Sequence, residues 1–132
     1  MTDILRLGRH FLIEYSQCDP EVLNQPERIR EGMLRAIARS GATLITDVFH
    51  QFSPQGVTGV AVIAESHVSV HTWPEHAYAA VDIFTCSEKM NAQFIEEDLR
   101  LLFRSQHVSA VEVPRGIRSS AQATPIFFST SM

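Results

Sequence analysis

Polar and apolar positions along this chain alternate, switch to a helical repeat, and then return to alternation. Residues 9–18, Arg-His-Phe-Leu-Ile-Glu-Tyr-Ser-Gln-Cys, are rich in aromatic and branched side chains and predict a strand. Asp19-Pro20-Glu21 has the composition of a helix start. Asp can cap, Pro suits the first helical position, and Glu favours the positive end of the helix dipole. Pro26, preceded by Asn24 and Gln25, is a second such start. Ile29, Met33 and Ile37 then recur every fourth residue with charges between them, which puts them on one helical face. Gly41, after Ser40, is the matching stop. Four strand-like runs follow at 42–52, 57–64, 67–73 and 78–86, punctuated by Pro54, Gly56 and Pro74. Residues 91–105 return to helical spacing, with Ile95, Leu99 and Leu102 on one face and Asn91 as the cap. Residues 108–113 predict a further strand. The tail after Gly116 is Ser/Thr-rich around Pro125-Ile-Phe-Phe128, and its pattern assigns it to no element.

The predicted order is therefore β-α-β-β-β-β-α-β. Segregated strands with two amphipathic helices imply an α+β two-layer sandwich, its mainly antiparallel sheet covered on one face. The 132 residues fit a single domain, 1–132, with no internal repeat or linker. A chain of this size buries roughly two-thirds of its unfolded surface. That supports one core but leaves little room for a deep private pocket, so a small-molecule site shared between subunits is expected. The net charge of −4 comes with no Lys/Arg cluster, which argues against nucleic acid and against an anionic membrane surface. The first ten residues carry an early acid and no long apolar run, unlike a signal peptide. No apolar stretch is long enough for a membrane span. Two cysteines, Cys18 and Cys86, make no disulfide framework, and a cytoplasmic location is expected.

The chemistry concentrates in Glu65-Ser-His-Val-Ser-Val-His-Thr-Trp-Pro-Glu75. His67 and His71 are four apart, a metal-ligand spacing on a helix. Val68, Val70 and Thr72 favour a strand instead, on which four residues span about 13 Å, too far for one zinc ion. A hydrolase built on Cys86 or a serine with a histidine is allowed by residue type, but no nucleophile elbow is present. A purely structural role is a third reading. Against it, so many polar side chains would cost stability in a core if left unpaired.

This run, followed by Tyr78-Ala-Ala-Val-Asp-Ile-Phe-Thr-Cys86, closely resembles the small prokaryotic S-adenosylmethionine decarboxylase proenzymes. Leu7-Gly-Arg-His10, Ser40-Gly-Ala-Thr43, Phe49-His-Gln-Phe-Ser-Pro54 and Gly56-Val-Thr-Gly-Val60 extend the likeness over residues 7–115. The resemblance implies a proenzyme that cuts itself between Glu65 and Ser66 into a beta chain, 1–65, and an alpha chain, 66–132. Ser66 becomes a pyruvoyl cofactor that forms a Schiff base with the substrate amine, the electron-sink role that pyridoxal phosphate plays elsewhere. His71 matches the processing base, and imidazole as a class titrates near the working pH. Thr58 stands where the family often carries a serine that assists the acyl shift. Cys86 matches the proton donor of the catalytic step, a role suited to a tunable thiol. Glu75 matches the acid that holds the ribose hydroxyls, Phe52 an aromatic that stacks on adenine, and Trp73 offers a second aromatic wall. No metal is implied.

The implied product is the aminopropyl donor of spermidine synthesis. The implied assembly is a homodimer, a four-layer α/β/β/α particle whose sites are completed by the partner subunit. Arginine or ornithine as the substrate of the same scaffold, or an inactive regulatory homologue, are the alternatives.

Overall fold

The computed structural model describes residues 6–118 and 126–131. Seven strands form one antiparallel sheet: β1 (Gly8–Ser16), β2 (Leu44–Gln51), β3 (Val57–Ile63), β4 (Ser66–Trp73), β5 (Tyr78–Thr85), β6 (His107–Arg115) and β7 (Ile126–Ser131). Their order across the sheet is β2-β3-β4-β5-β1-β6-β7. Two helices, α1 (Pro26–Arg39) and α2 (Ala92–Phe103), interrupt the strands. This is the expected order with one strand added. Part of the tail that pattern could not assign, Ile126–Ser131, pairs antiparallel with β6 in the register Glu112↔Ile126 to His107↔Ser131.

One expectation is corrected. Asp19-Pro20-Glu21 starts only a single 3-10 turn, Val22–Asn24, and α1 begins at Pro26. A helix running on from Asp19 would put Pro26 in its interior, where the ring has no N–H and collides with the carbonyl four residues back. Pro26 instead takes the first helical position, where no hydrogen bond is lost. At the other end Gly41, at φ +90°, adopts the left-handed conformation that stops α1. Asn91 caps α2 as its sequence predicts, its Oδ1 accepting from the Gln93 N–H at 3.0 Å.

Alternation along the strands divides the sheet into two faces. Ile13 and Tyr15 of β1, Val57, Ala61 and Ile63 of β3, Val68 and Val70 of β4, and Ala79, Val81 and Ile83 of β5 are buried under the helices. Ile29, Met33 and Ile37 of α1 and Ile95, Leu99 and Phe103 of α2 pack onto them. Fully burying such side chains contributes about 1.5–3 kcal/mol each. The opposite face has no helix among the described residues. Leu12, Val48, Val62 and Trp73 are among its exposed residues.

Candidate active site

The Glu65–Ser66 bond lies in the tight turn that joins β3 to β4, where Ile63 pairs with Ser66. Ser66 has φ +147°, a conformation that favours glycine. A non-glycine residue held there stores about 1–3 kcal/mol of strain. Cys86, just past the end of β5, brackets the same bond. Its N–H donates to the Glu65 carbonyl oxygen at 3.0 Å. Its thiol donates to that oxygen at 3.4 Å. Two donors on one carbonyl polarise it and stand ready for the negative charge that grows on the oxygen when a nucleophile attacks the carbon. Cys86 is exposed and free. Cys18, by contrast, is buried, and burial pushes its thiol up to about 11, consistent with a packing role.

His71 and Thr58 form a second group. They are cross-strand partners on β4 and β3. The Thr58 hydroxyl and His71 Nδ1 are 3.1 Å apart, within hydrogen-bond reach. Trp73 tilts over His71 at 6.4 Å between ring centroids and over Tyr78 at 5.4 Å. Tyr78 in turn donates its hydroxyl to Glu14. Phe52 follows β2, half exposed at 49%, with its ring edge-on to His50 at 4.7 Å. Glu75 sits exposed on a 3-10 turn, Pro74–His76, that directly follows Trp73. It borders a cleft of about 540 Å³ together with Asn24, Gln25 and Gln55. A larger cavity of about 730 Å³ lies between α2 and strands β1 and β6, and none of the candidate site residues lines it.

The two groups do not meet within one chain. Ser66 and His71 are five residues apart on one continuous strand, β4, which is about 17 Å of extended chain. Ser66, Glu65 and Cys86 share one end of β4; His71, Thr58, Trp73 and Glu75 share the other.

Three residues near the two groups carry contacts to which the sequence reading gave no role. Asn24 holds the loop that presents Phe52: its Oδ1 accepts from the Gly56 N–H at 2.9 Å and from Gln51 Nε2 at 3.1 Å. His50 stands beside Thr58 in the cross-strand row that continues to His71. Thr43 grips the turn between β3 and β4 through both its backbone groups. Its carbonyl accepts from the Ala64 N–H at 2.8 Å, and its N–H donates to Glu65 Oε1 at 3.1 Å. No periodic signal marks the Asn24 and Thr43 links, which join residues more than twenty positions apart, and the His50–Thr58 pairing is set by the register of β2 on β3.

Comparison with known proteins accords with this geometry. The family model described as S-adenosylmethionine decarboxylase matches residues 9–116. The S-adenosylmethionine decarboxylase proenzyme of Pelotomaculum thermopropionicum is 50% identical over 111 residues, which cover 84% of this chain and 88% of that one. The proenzyme of the same name from Thermotoga maritima is 46% identical over 110 residues, 83% of this chain and 85% of that one. The crystal structure of the adenosylmethionine decarboxylase from Aquifex aeolicus superposes with a TM-score of 0.80 at 32% identity, covering 90% of this chain and 98% of that one. The chain belongs to the S-adenosylmethionine decarboxylase family.

The residues at position 66 fit the pyruvoyl group that a proenzyme of this family implies. The serine that would become it is strained, and the carbonyl to be attacked is already held by two donors.

Proposed function

We propose that this protein is a self-processing, pyruvoyl-dependent decarboxylase of S-adenosylmethionine. The observation that carries the reading is the Glu65–Ser66 junction, a strained serine behind a carbonyl that accepts from both the N–H and the thiol of Cys86. The Ser66 hydroxyl attacks the Glu65 carbonyl carbon, the C–N bond breaks, and an ester replaces the amide. The strain at Ser66 favours this step because breaking the peptide bond releases it. His71 removes the Ser66 α-proton, and the Cβ–O bond breaks with its electron pair leaving on the Glu65 carboxylate. The dehydroalanine that remains takes up water and loses ammonia to leave a pyruvoyl group on chain 66–132.

Once formed, a pyruvoyl carbonyl would supply the electron sink for the electron pair that the substrate carbon keeps when carbon dioxide leaves. Cys86 holds the proton to be returned to the substrate carbon. Glu75 accepts hydrogen bonds from the ribose hydroxyls, and Phe52 and Trp73 flank the adenine. Arginine and ornithine are not favoured, since the relatives are S-adenosylmethionine decarboxylases by name and the nucleoside-binding residue types are retained. Intact Ser66, His71 and Cys86 argue against an inactive homologue.

The working unit in this reading is a homodimer. Because His71 and Thr58 are about 17 Å of strand from Ser66, they serve the partner subunit's Ser66. Two protomers packed open face to open face, turned end for end, bring opposite ends of β4 together and cover the exposed Leu12, Val48 and Val62. The result is a four-layer α/β/β/α particle with two sites. Its product feeds aminopropyl transfer in spermidine synthesis. No helix among the described residues is long and apolar enough to cross a membrane. The two free thiols fit the cytoplasm.

The test is direct. Purified protein should separate into two chains of roughly 7 kDa each, half of the 14.8 kDa total, whereas Ser66→Ala stays intact. Carbon dioxide should be released from S-adenosylmethionine and not from arginine or ornithine. An uncut chain after long incubation, with no ketone trapped by a hydrazine, would refute the processing step.

A further inference from the structure

In the proposed processing Glu65 supplies only the carbonyl that is attacked, yet its side chain is anchored as well. Its carboxylate accepts from the Thr43 N–H at 3.1 Å, and the Thr43 carbonyl takes the neighbouring Ala64 N–H at 2.8 Å. Thr43, Ala64 and Glu65 all lie in residues 1–65, so this grip survives cleavage. The two donors on the Glu65 carbonyl, the N–H at 3.0 Å and the thiol at 3.4 Å of Cys86, lie in the other chain.

We propose that Glu65 is a positioning residue of the working enzyme: its side chain, tied to Thr43, keeps the newly made chain-terminal carboxylate against Cys86 and so fixes the direction in which the thiol offers its proton. The inference rests on the proposed role of Cys86 as proton donor. Cleavage breaks the C–N bond and then the ester C–O bond, leaving two carboxylate oxygens and a full negative charge where one neutral carbonyl oxygen stood. A charged acceptor holds an S–H or N–H more firmly than an amide oxygen does. It does so only if it stays in place. Before cleavage the continuous hairpin, with Ile63 paired to Ser66, fixes the carbonyl without help. Afterwards Glu65 is a chain end, and chain ends fray unless tied down. The Thr43 anchor is the tie, and it matters only in the cut protein.

That asymmetry defines the experiment. Alkylation of Cys86 by iodoacetamide is followed by peptide mass, with buried Cys18 as the unreactive internal reference. In the processed enzyme Glu65→Ala should raise the Cys86 alkylation rate about fivefold, because the terminal carboxylate swings away and no longer holds the thiol proton. Glu65→Gln keeps an oxygen for the Thr43 N–H and should stay within about twofold of wild type. In the uncut Ser66→Ala background, Glu65→Ala should change the rate little. Thr43→Pro removes the same bond from the donor side with Glu65 intact. It should reproduce the Glu65→Ala result, and it serves alone if Glu65→Ala fails to self-cleave. Equal acceleration in cut and uncut protein would reduce Glu65 to ordinary packing and overturn the proposal, as would no acceleration in either. Failure of the underlying reading looks different: Cys86→Ala would then turn over at a near-normal rate whatever the alkylation rates are.

Discussion

The two ends of β4 are built for different work. At the Ser66 end the main chain is strained and gripped: φ +147°, a carbonyl with two donors, a glutamate side chain tied to a backbone amide. At the His71 end the backbone is ordinary strand, and the chemistry is carried by side chains, an imidazole bonded to a hydroxyl with aromatic rings alongside. In the proposed reading, one end presents the bond that breaks and the other the base that completes the processing. A single sheet holds them about 17 Å apart. If Ser66 and His71 act as proposed, strand geometry keeps an isolated protomer from completing the reaction on itself and ties processing to assembly.

The strongest way to break this comparison is complementation. Ser66→Ala and His71→Ala should each be uncut and inactive alone. Co-expressed, they should regain about a quarter of wild-type sites. Random pairing makes half the dimers mixed, and each mixed dimer has one site with both residues intact. No recovery, together with processing of an isolated monomer at the dimer's rate, would show that the two ends meet within one chain.

Next in size is the thiol. Cys86→Ala keeps the backbone N–H on the Glu65 carbonyl and loses only the longer sulfur bond. Self-cleavage should therefore continue, a few-fold slower, while turnover falls about 10²-fold or more, as expected for losing a positioned general acid. Equal losses in both steps would mean that Cys86 acts chiefly on the carbonyl.

Glu75 sharpens the other end. If Glu75 holds the ribose as proposed, Glu75→Gln weakens two charge-assisted hydrogen bonds, each worth about 1.5–3 kcal/mol. KM for S-adenosylmethionine should rise about tenfold or more with processing unchanged, and part of the loss can fall in kcat because remote binding energy orients the reacting group. An unchanged KM would remove Glu75 from the nucleoside site.

Much of this frame is legible in the residues. The faces Ile29/Met33/Ile37 and Ile95/Leu99/Leu102, the Asn91 cap and the strand character of 67–73 all follow from spacing and side-chain type, and each appears as read, Leu102 partly buried and the strand starting one residue earlier at Ser66. The Ser66–Cys86 approach is different. Pattern puts both at strand ends, but only family resemblance pairs them, since the contact is made by register across β4 and β5. β7 was not readable because an edge strand forms by pairing with its neighbour, and its Ser/Thr-rich run lacks a strict alternation of its own. The helix start at Asp19 failed because a good local cap was overruled by Pro26 seven residues on. The Thr43–Glu65 tie spans 22 positions and involves a backbone N–H, which carries no sequence mark.

The smallest expected effect concerns His10, in the cross-strand row of β4, β5 and β1 that also holds His67 and Phe84, beside the Ser66 end. Arg115 Nη1 lies 3.0 Å from His10 Nδ1, which makes Nδ1 the acceptor and puts the ring proton on Nε2, a buried atom with no protein partner. Burial holds the His10 pKa below its ordinary value; Asp82 opposes the shift, and Arg115 and His67 add to it. The folded protein therefore resists a proton that the unfolded chain accepts near pH 6.5. Below that pH the unfolded state binds more protons, so stability is fully present above about 6.5 and is lost as pH falls toward the lowered folded value. His10→Gln removes this term. Urea midpoints at pH 7.5 and 5.5, measured in the uncut Ser66→Ala background so that one chain unfolds, should fall less on acidification for His10→Gln than for its parent. Identical falls would mean that His10 is not the source of the acid response, and would point to the proposed subunit contact on this face as the group's partner, giving the Nε2–H an acceptor that tolerates the charged ring.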